Sequence, residues 1–297
     1  MSSKESNKKN SKNIWMILTV FFALITAACI GWIVIYLIQT HNAQKKLDEL
    51  KENYIQEIAV EEDGDMNQSE TEVENRVKDE SSDEGEPKQS EEENPLDEYD
   101  VWTKDIDWSA LAEENADIYA WITVPGTVID YPVLQHPEQL DYYLNHNLDK
   151  SSGYPGCIYT QSLNSKEWDD PQTVLYGHNM KNGTMFAGLH NYEDSVFFEE
   201  NPYVYIYTEN YVRVYQIFAS YEFTSAHLLL SFDTKNPENF GAYLDGVFQR
   251  DGLNDNFNRE LEVTAEDKII TLSTCISNKP DNRYLVQAVL VAEGTIE

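Results

Sequence analysis

The chain has 297 residues, enough for one sizeable domain with accessories, and its formal net charge is −32. So acidic a surface repels phosphate backbones and excludes nucleic acid as a partner. Three cysteines (Cys29, Cys157, Cys275) without a CxxC, and six histidines without HExxH or His-x₃-His spacing, exclude a disulfide framework and a metal site. Neither a metal nor another cofactor is expected, and two free thiols are favoured over a Cys157–Cys275 bridge.

The charge is unevenly placed. Residues 1–56 carry seven Lys/Arg against four Asp/Glu, residues 57–100 carry three against nineteen, and residues 101–297 carry eleven against thirty. Half of the negative excess therefore sits in residues 57–100.

Residues 14–38, IWMILTVFFALITAACIGWIVIYLI, hold no charge. As a helix they reach roughly 37 Å, more than a hydrocarbon core of about 30 Å. A cleaved signal peptide would be shorter and end in small residues. A lipobox at TAAC fails because apolar sequence continues past Cys29. An uncleaved anchor is the reading. Lys4, Lys8, Lys9 and Lys12 precede it, so the positive-inside bias puts residues 1–13 in the cytoplasm and the rest outside a cell membrane crossed once.

Leu47, Leu50, Tyr54 and Ile58 recur at spacings of three and four, which predicts a juxtamembrane helix over 39–58. Residues 59–100 have the composition of a disordered, self-repelling linker, a stalk holding the domain off the membrane. The working domain is expected over 101–297. Asp107 is placed to cap a short helix running to Ala116, and Pro125-Gly126 marks a turn before a strand. PEQLDYYL predicts a short helix. GCIYTQ (156–161), TVLYG (173–177), YVYIYT (203–208) and YVRVYQIFASYEF (211–223) are strand-like, the last two joined at Glu209-Asn210. PENFGAYLDGVFQR (237–250) reads as an amphipathic helix with Phe240, Tyr243, Leu244 and Val247 on one face, and KIITLST and RYLVQAVLVAE are two further strands. Seven or eight short strands with inserted helices predict a mainly β fold, a closed barrel without exposed edges.

Cys275 ends the strand KIITLSTC, and a cysteine nucleophile needs a base and an oxyanion donor. Among the histidines only His178, at the end of the TVLYG strand, has suggestive context. His136, His146, His190 and His227 read as loop or surface residues. Arg283 follows Cys275 by eight positions and could point back over it, although spacing alone equally suits a surface arginine. Cys29 and Cys157 read as packing residues.

LYGHNM, TLSTC and the arginine eight residues on, in that order, resemble the sortases, membrane-anchored cysteine transpeptidases of Gram-positive bacteria. YYLNHNLDKSSGYPGCIY, LYGHNMKNGTMFAGLHNYED and the helix-bearing insert before TLSTC resemble class B in particular, over roughly residues 105–293. The resemblance implies an eight-stranded sortase-like barrel with N-terminal and inserted helices. It also implies catalytic roles for His178, Cys275 and Arg283, with Ser273, Leu272 and Thr274 of the TLSTC strand touching substrate. It implies cleavage after threonine in the C-terminal sorting signal of a surface protein, by way of an acyl-enzyme, and transfer to an amine. The acceptor is a peptidoglycan precursor or a pilin lysine. The acidic residue that family members often carry just after the cysteine is replaced here by Ile276 and Ser277, and the first acid is Asp281. Two other readings stay open on the residues alone: a hydrolytic cysteine protease, and a non-catalytic adhesin or receptor barrel with a structural cysteine.

Overall fold

The computed structural model describes residues 2–57, 95, 96, 99 and 104–295. Helix α1 (Ser2–Tyr54) runs unbroken through the apolar span and beyond it. The expected juxtamembrane helix is its continuation, and it stops four residues early. Strand β1 (Ile55–Glu57) follows and pairs antiparallel with β2 (Lys104–Ile106), Ile55 opposite Ile106.

That pairing corrects the expected stalk. Glu57 and Lys104 are held side by side, so the length of the segment between them does not set how far the domain stands from the membrane. The attachment is made instead by α1 itself, whose Leu47 and Leu50 are buried in the core. Most of the acidic stretch lies outside the described residues. The expected domain boundary at 101 is also late, because Leu96 is buried and Tyr99 packs edge-on against Tyr203 with ring centroids 5.4 Å apart.

The attachment has a polar clasp. Asp130 accepts from Lys104 Nζ at 2.6 Å, Trp121 Nε1 at 2.7 Å and Thr123 Oγ1 at 2.9 Å, and Lys51 of α1 pairs with its second oxygen. Burial alone would raise the Asp130 pKa, but Lys104, Lys51 and Trp121 outweigh it and hold the carboxyl below its ordinary value.

Helix α2 (Trp108–Glu114) starts where Asp107 accepts from Ala110 N at 2.9 Å, and it ends two residues short of expectation, with Asn115 as its C-cap. Strands β3 (Ile118–Thr123), β4 (Asp130–Leu134), β5 (Ile158–Thr160), β6 (Gln172–Tyr176), β7 (Tyr203–Tyr207) and β8 (Val212–Thr224) follow. With β10 (Ile269–Ile276) and β11 (Lys279–Gly294) they close a circuit in the order β11–β10–β6–β5–β4–β3–β7–β8 and back to β11. This is the expected eight-stranded barrel. The short β9 (Asn256–Phe257) adds two residues to β8. Pairings are antiparallel except β4 with β5 and β6 with β10.

Helix α3 (Ser195–Glu200) precedes β7. The insert between β8 and β10 carries α4 (Leu228–Ser231) and α5 (Pro237–Phe248). Asn236 caps α5, accepting from the backbone of Glu238 and Asn239, with Pro237 at the first helical position. Phe240, Tyr243, Leu244 and Val247 are its buried face. PEQLDYYL, in contrast, yields only the 3-10 turn Tyr142–Leu144.

Candidate active site

Side chains alternate across a strand, so parity decides what each residue of TLSTC can reach. On β10, Ile270 and Leu272 point into the barrel core with Tyr284 and Val286 of β11. Thr271, Ser273 and Cys275 take the opposite face, which the insert with α5 covers. The same outer face carries Gln172, Val174 and Tyr176 of β6, then His178, and Arg283, Leu285 and Gln287 of β11. Val174, Leu285 and Val289 pack there with Phe240, Tyr243, Leu244 and Val247 of α5 in a second apolar cluster.

The register brings the end of this face together. Cys275 lies opposite Arg283 across β10 and β11, and Ser273 lies beside Tyr176 across β10 and β6. The strand β11 begins at Lys279, so Arg283 is within it rather than at its start, and the pairing across the hairpin is what sets it against the cysteine. His178, Cys275 and Arg283 line one cavity of about 260 Å³, together with Ser273, Tyr176 and the insert residues 224–228.

Gly177 delivers His178 to the rim. Its N–H donates to Ser273 O at 3.2 Å, and its carbonyl accepts from Thr274 Oγ1 at 2.9 Å. A Cβ at this position would lie 2.5 Å from Ile158 Cδ1 and 2.8 Å from the Phe186 ring, so a larger residue would displace the turn. The Nε2 of His178 is 2.6 Å from the carbonyl oxygen of Leu144. A carbonyl only accepts, so the tautomer assigned from this bond is Nε2–H, leaving Nδ1 as the basic nitrogen. Burial, partly under the Tyr154 ring at 4.8 Å, lowers the His178 pKa below its ordinary value of 6.5, with the Leu144 bond acting in the opposite sense.

The two thiols differ sharply. Cys275 is exposed, whereas Cys157 is fully buried, and burial pushes the Cys157 thiol far above its ordinary range. Arg283 donates from one terminal nitrogen to the carbonyls of Pro280 and Asn282, both at 2.9 Å, and has no ion pair among the described residues. Its remaining N–H groups are available to a ligand.

Of the three residues expected to touch substrate, Ser273 lines the cavity on the same face as Cys275. Leu272 does not: it is fully buried inside the barrel. Thr274 also lines the cavity although it shares the parity of Leu272, and its hydroxyl donates to the Gly177 carbonyl. A larger cavity of about 670 Å³ beyond the hairpin tip contains none of the three catalytic candidates. Within it Lys279 pairs with Glu222 at 2.6 Å and Arg250 with Asp255 at 3.8 Å.

The Sortase domain family model matches residues 122–291, more than half of the chain. The chain belongs to the sortase family. Two curated relatives, both sortase B, place it in class B: that of Listeria monocytogenes is 36% identical over 62% of this chain and 73% of its own length. That of Staphylococcus aureus is 30% identical over 57% and 67%. The crystal structure of Clostridium perfringens sortase B superposes with a TM-score of 0.56 at 34% identity, covering 62% of this chain and 98% of that one. A Staphylococcus aureus sortase B–substrate complex gives 0.55 at 28%, covering 62% and 84%. As a class B sortase the protein is a cysteine transpeptidase, and its apolar N-terminal helix suits a membrane anchor.

Residues that the sequence reading passed over also reach this sortase site. Asn179 Nδ2 donates to the carbonyl oxygen of Cys275 at 3.0 Å, and His190 Nε2 lies 3.0 Å from the same oxygen. The other nitrogen of His190 is 2.6 Å from Glu193, and the ring stacks on Tyr284 at 5.1 Å. Asn179 could have been suspected from its place beside His178. Nothing local in LHNYED marks His190 as a partner of residue 275.

Proposed function

We propose that Cys275 attacks the carbonyl of the threonine in a C-terminal sorting signal, forming the C–S bond of an acyl-enzyme as the C–N bond breaks. His178 takes the Cys275 proton at Nδ1, gives it to the leaving amine and later takes one from the incoming amine, whose nitrogen forms the new amide as the C–S bond breaks and the thiol is restored. Arg283 directs N–H donors to the oxygen on which charge develops. Ser273 contacts the bound signal. One observation carries this reading: an exposed thiol opposite a guanidinium with free donors, in one cavity with a half-buried imidazole. The exposure of Cys275 also speaks against the adhesin alternative, in which the cysteine would be structural.

The acceptor is an amine of a cell-wall peptide or of a pilin lysine. The donors are surface proteins with a sorting signal, and the catalytic domain acts outside a membrane crossed once by α1, with the N-terminus in the cytoplasm. Incubating the full chain with a panel of sorting-signal peptides and amines tests the reaction. An amide product and a hydroxylamine-sensitive adduct on Cys275 are expected. Hydrolysis alone with every amine would make it a protease instead. Protease added to wall-stripped cells should digest the domain and spare a short N-terminal fragment.

A further inference from the structure

Helix α1 changes character at one residue. Residues 15–35 are exposed on every side, whereas from Tyr36 onward one stripe (Tyr36, Thr40, Ala43, Gln44, Leu47, Leu50) turns toward the domain and is partly or fully buried. Tyr36 lies in the last turn of the uncharged span 14–38, which is long enough to cross a hydrocarbon core of roughly 30 Å. The domain therefore begins where the hydrocarbon ends, with no spacer between them. The β1–β2 pair and the Lys51–Asp130 contact hold α1 in place just beyond.

At that boundary Tyr36 meets Tyr154, ring centroids 6.2 Å apart at 70°. Tyr154 in turn lies against His178 at 4.8 Å. Two ring contacts thus connect the outer end of the span to the catalytic imidazole. Tyr154 is 44% exposed and the neighbouring Leu144, whose carbonyl holds His178, is 37% exposed. An aromatic with an apolar body and a polar tip is the side chain favoured at the headgroup level.

We propose that the rim carrying His178 rests on the outer face of the membrane that α1 crosses, with the Tyr154 segment in contact with lipid headgroups. A donor held in the same membrane then reaches Cys275 along the surface rather than from the aqueous side.

The test uses the full chain with Cys29→Ala and Cys275→Ala, reconstituted in phosphatidylcholine–phosphatidylglycerol vesicles. A polar bimane reagent labels either Tyr154→Cys or Asn210→Cys. Asn210 sits in the β7–β8 turn at the barrel end opposite Cys275, since β8 runs from Val212 beside Gly294 to Phe223 beside Arg283. Lipids spin-labelled at the headgroup should quench the label at 154 at least threefold more than the label at 210. Ser152→Cys, two residues away and exposed, reads the same depth if the Tyr154 variant does not fold. Equal, weak quenching at 152, 154 and 210 in protein that floats with the vesicles would overturn the proposal alone. Failure to float after alkaline extraction would remove the anchor as well, and this inference with it.

Discussion

The outer face of β6, β10 and β11 has two ends built from similar residue types and put to opposite uses. At the covered end, Gln287 Nε2 donates to Tyr243 OH at 2.7 Å and to Thr271 Oγ1 at 2.9 Å, and its Oε1 accepts from Tyr221 OH at 3.0 Å. Gln172 Nε2 donates to the same threonine at 2.9 Å. Thr271 and Gln287 have no exposed surface. Four residues along β10, Cys275 is exposed and Arg283 keeps donors free. Polar groups that satisfy one another fix the sheet and the insert over it, whereas polar groups left open to a ligand are available for chemistry. Changes at the rim should therefore cost rate without stability, and changes at the covered end the reverse.

The largest effect is expected at the thiol. Cys275→Ala should lower turnover by on the order of 10⁴-fold or more and abolish the covalent adduct, with an unfolding midpoint near wild type. Cys157→Ala should leave turnover intact. An adduct on Cys157, found by peptide mass mapping, would break the assignment. Next comes Arg283→Ala, since losing a donor to the developing oxyanion costs around 10²–10³ in turnover, about 3–4 kcal/mol. Arg283→Lys keeps the charge but not the fork of donors and should recover only part of it. Acylation kinetics on folded variants decide this, and wild-type rates in Arg283→Ala would return the residue to the surface.

The covered end supplies the converse. Gln287→Ala orphans buried hydroxyls and should cost about 1–3 kcal/mol in urea unfolding, with turnover near wild type in the folded fraction. A large loss of rate at unchanged stability would erase the contrast between the two ends.

Around the rim, His190 and Asn179 both engage the Cys275 carbonyl, so each acts as a positioning residue for the thiol. His190→Ala should reduce turnover about tenfold, a value of roughly 1.4 kcal/mol, with donor KM little changed. Because the two share one acceptor, the double variant with Asn179→Ala should fall short of the product of the single effects. Strict multiplicativity would show that they do not act through the same oxygen.

How much of this was legible from sequence follows the range of each signal. The strands and α5 were readable because period-2 and helical periodicities are local, and closure followed from their number and shortness. Parity within TLSTC was equally readable. It puts Leu272 and Thr274 on the other face of β10 from Cys275, with Leu272 fully buried in the barrel. The 3-10 turn at Tyr142–Leu144 escaped because its packing beside β5 is tertiary. The acidic composition of 59–100 was legible, but β1–β2 pairing joins residues some fifty positions apart, and no local pattern reports it. His190 was missed for the same reason, its partner being 85 residues away.

The smallest effect concerns His178 and tests whether Tyr154 supplies the burial that lowers its pKa. In the unfolded chain the ring titrates near 6.5, and in the folded protein it titrates lower. Between those two values the unfolded chain holds the proton and the folded one does not. Stability contributed by the neutral, half-buried ring is therefore present above 6.5 and declines as pH falls through the folded value. Tyr154→Ala uncovers one face of the ring while leaving the Leu144 carbonyl in place. Its expected result is a His178 titration moved upward toward 6.5, read by NMR, and a matching upward move of the acid limb of acylation. An unmoved titration would assign the burial to the groups beneath the ring and leave Tyr154 with its contact to Tyr36 as its remaining role at the rim.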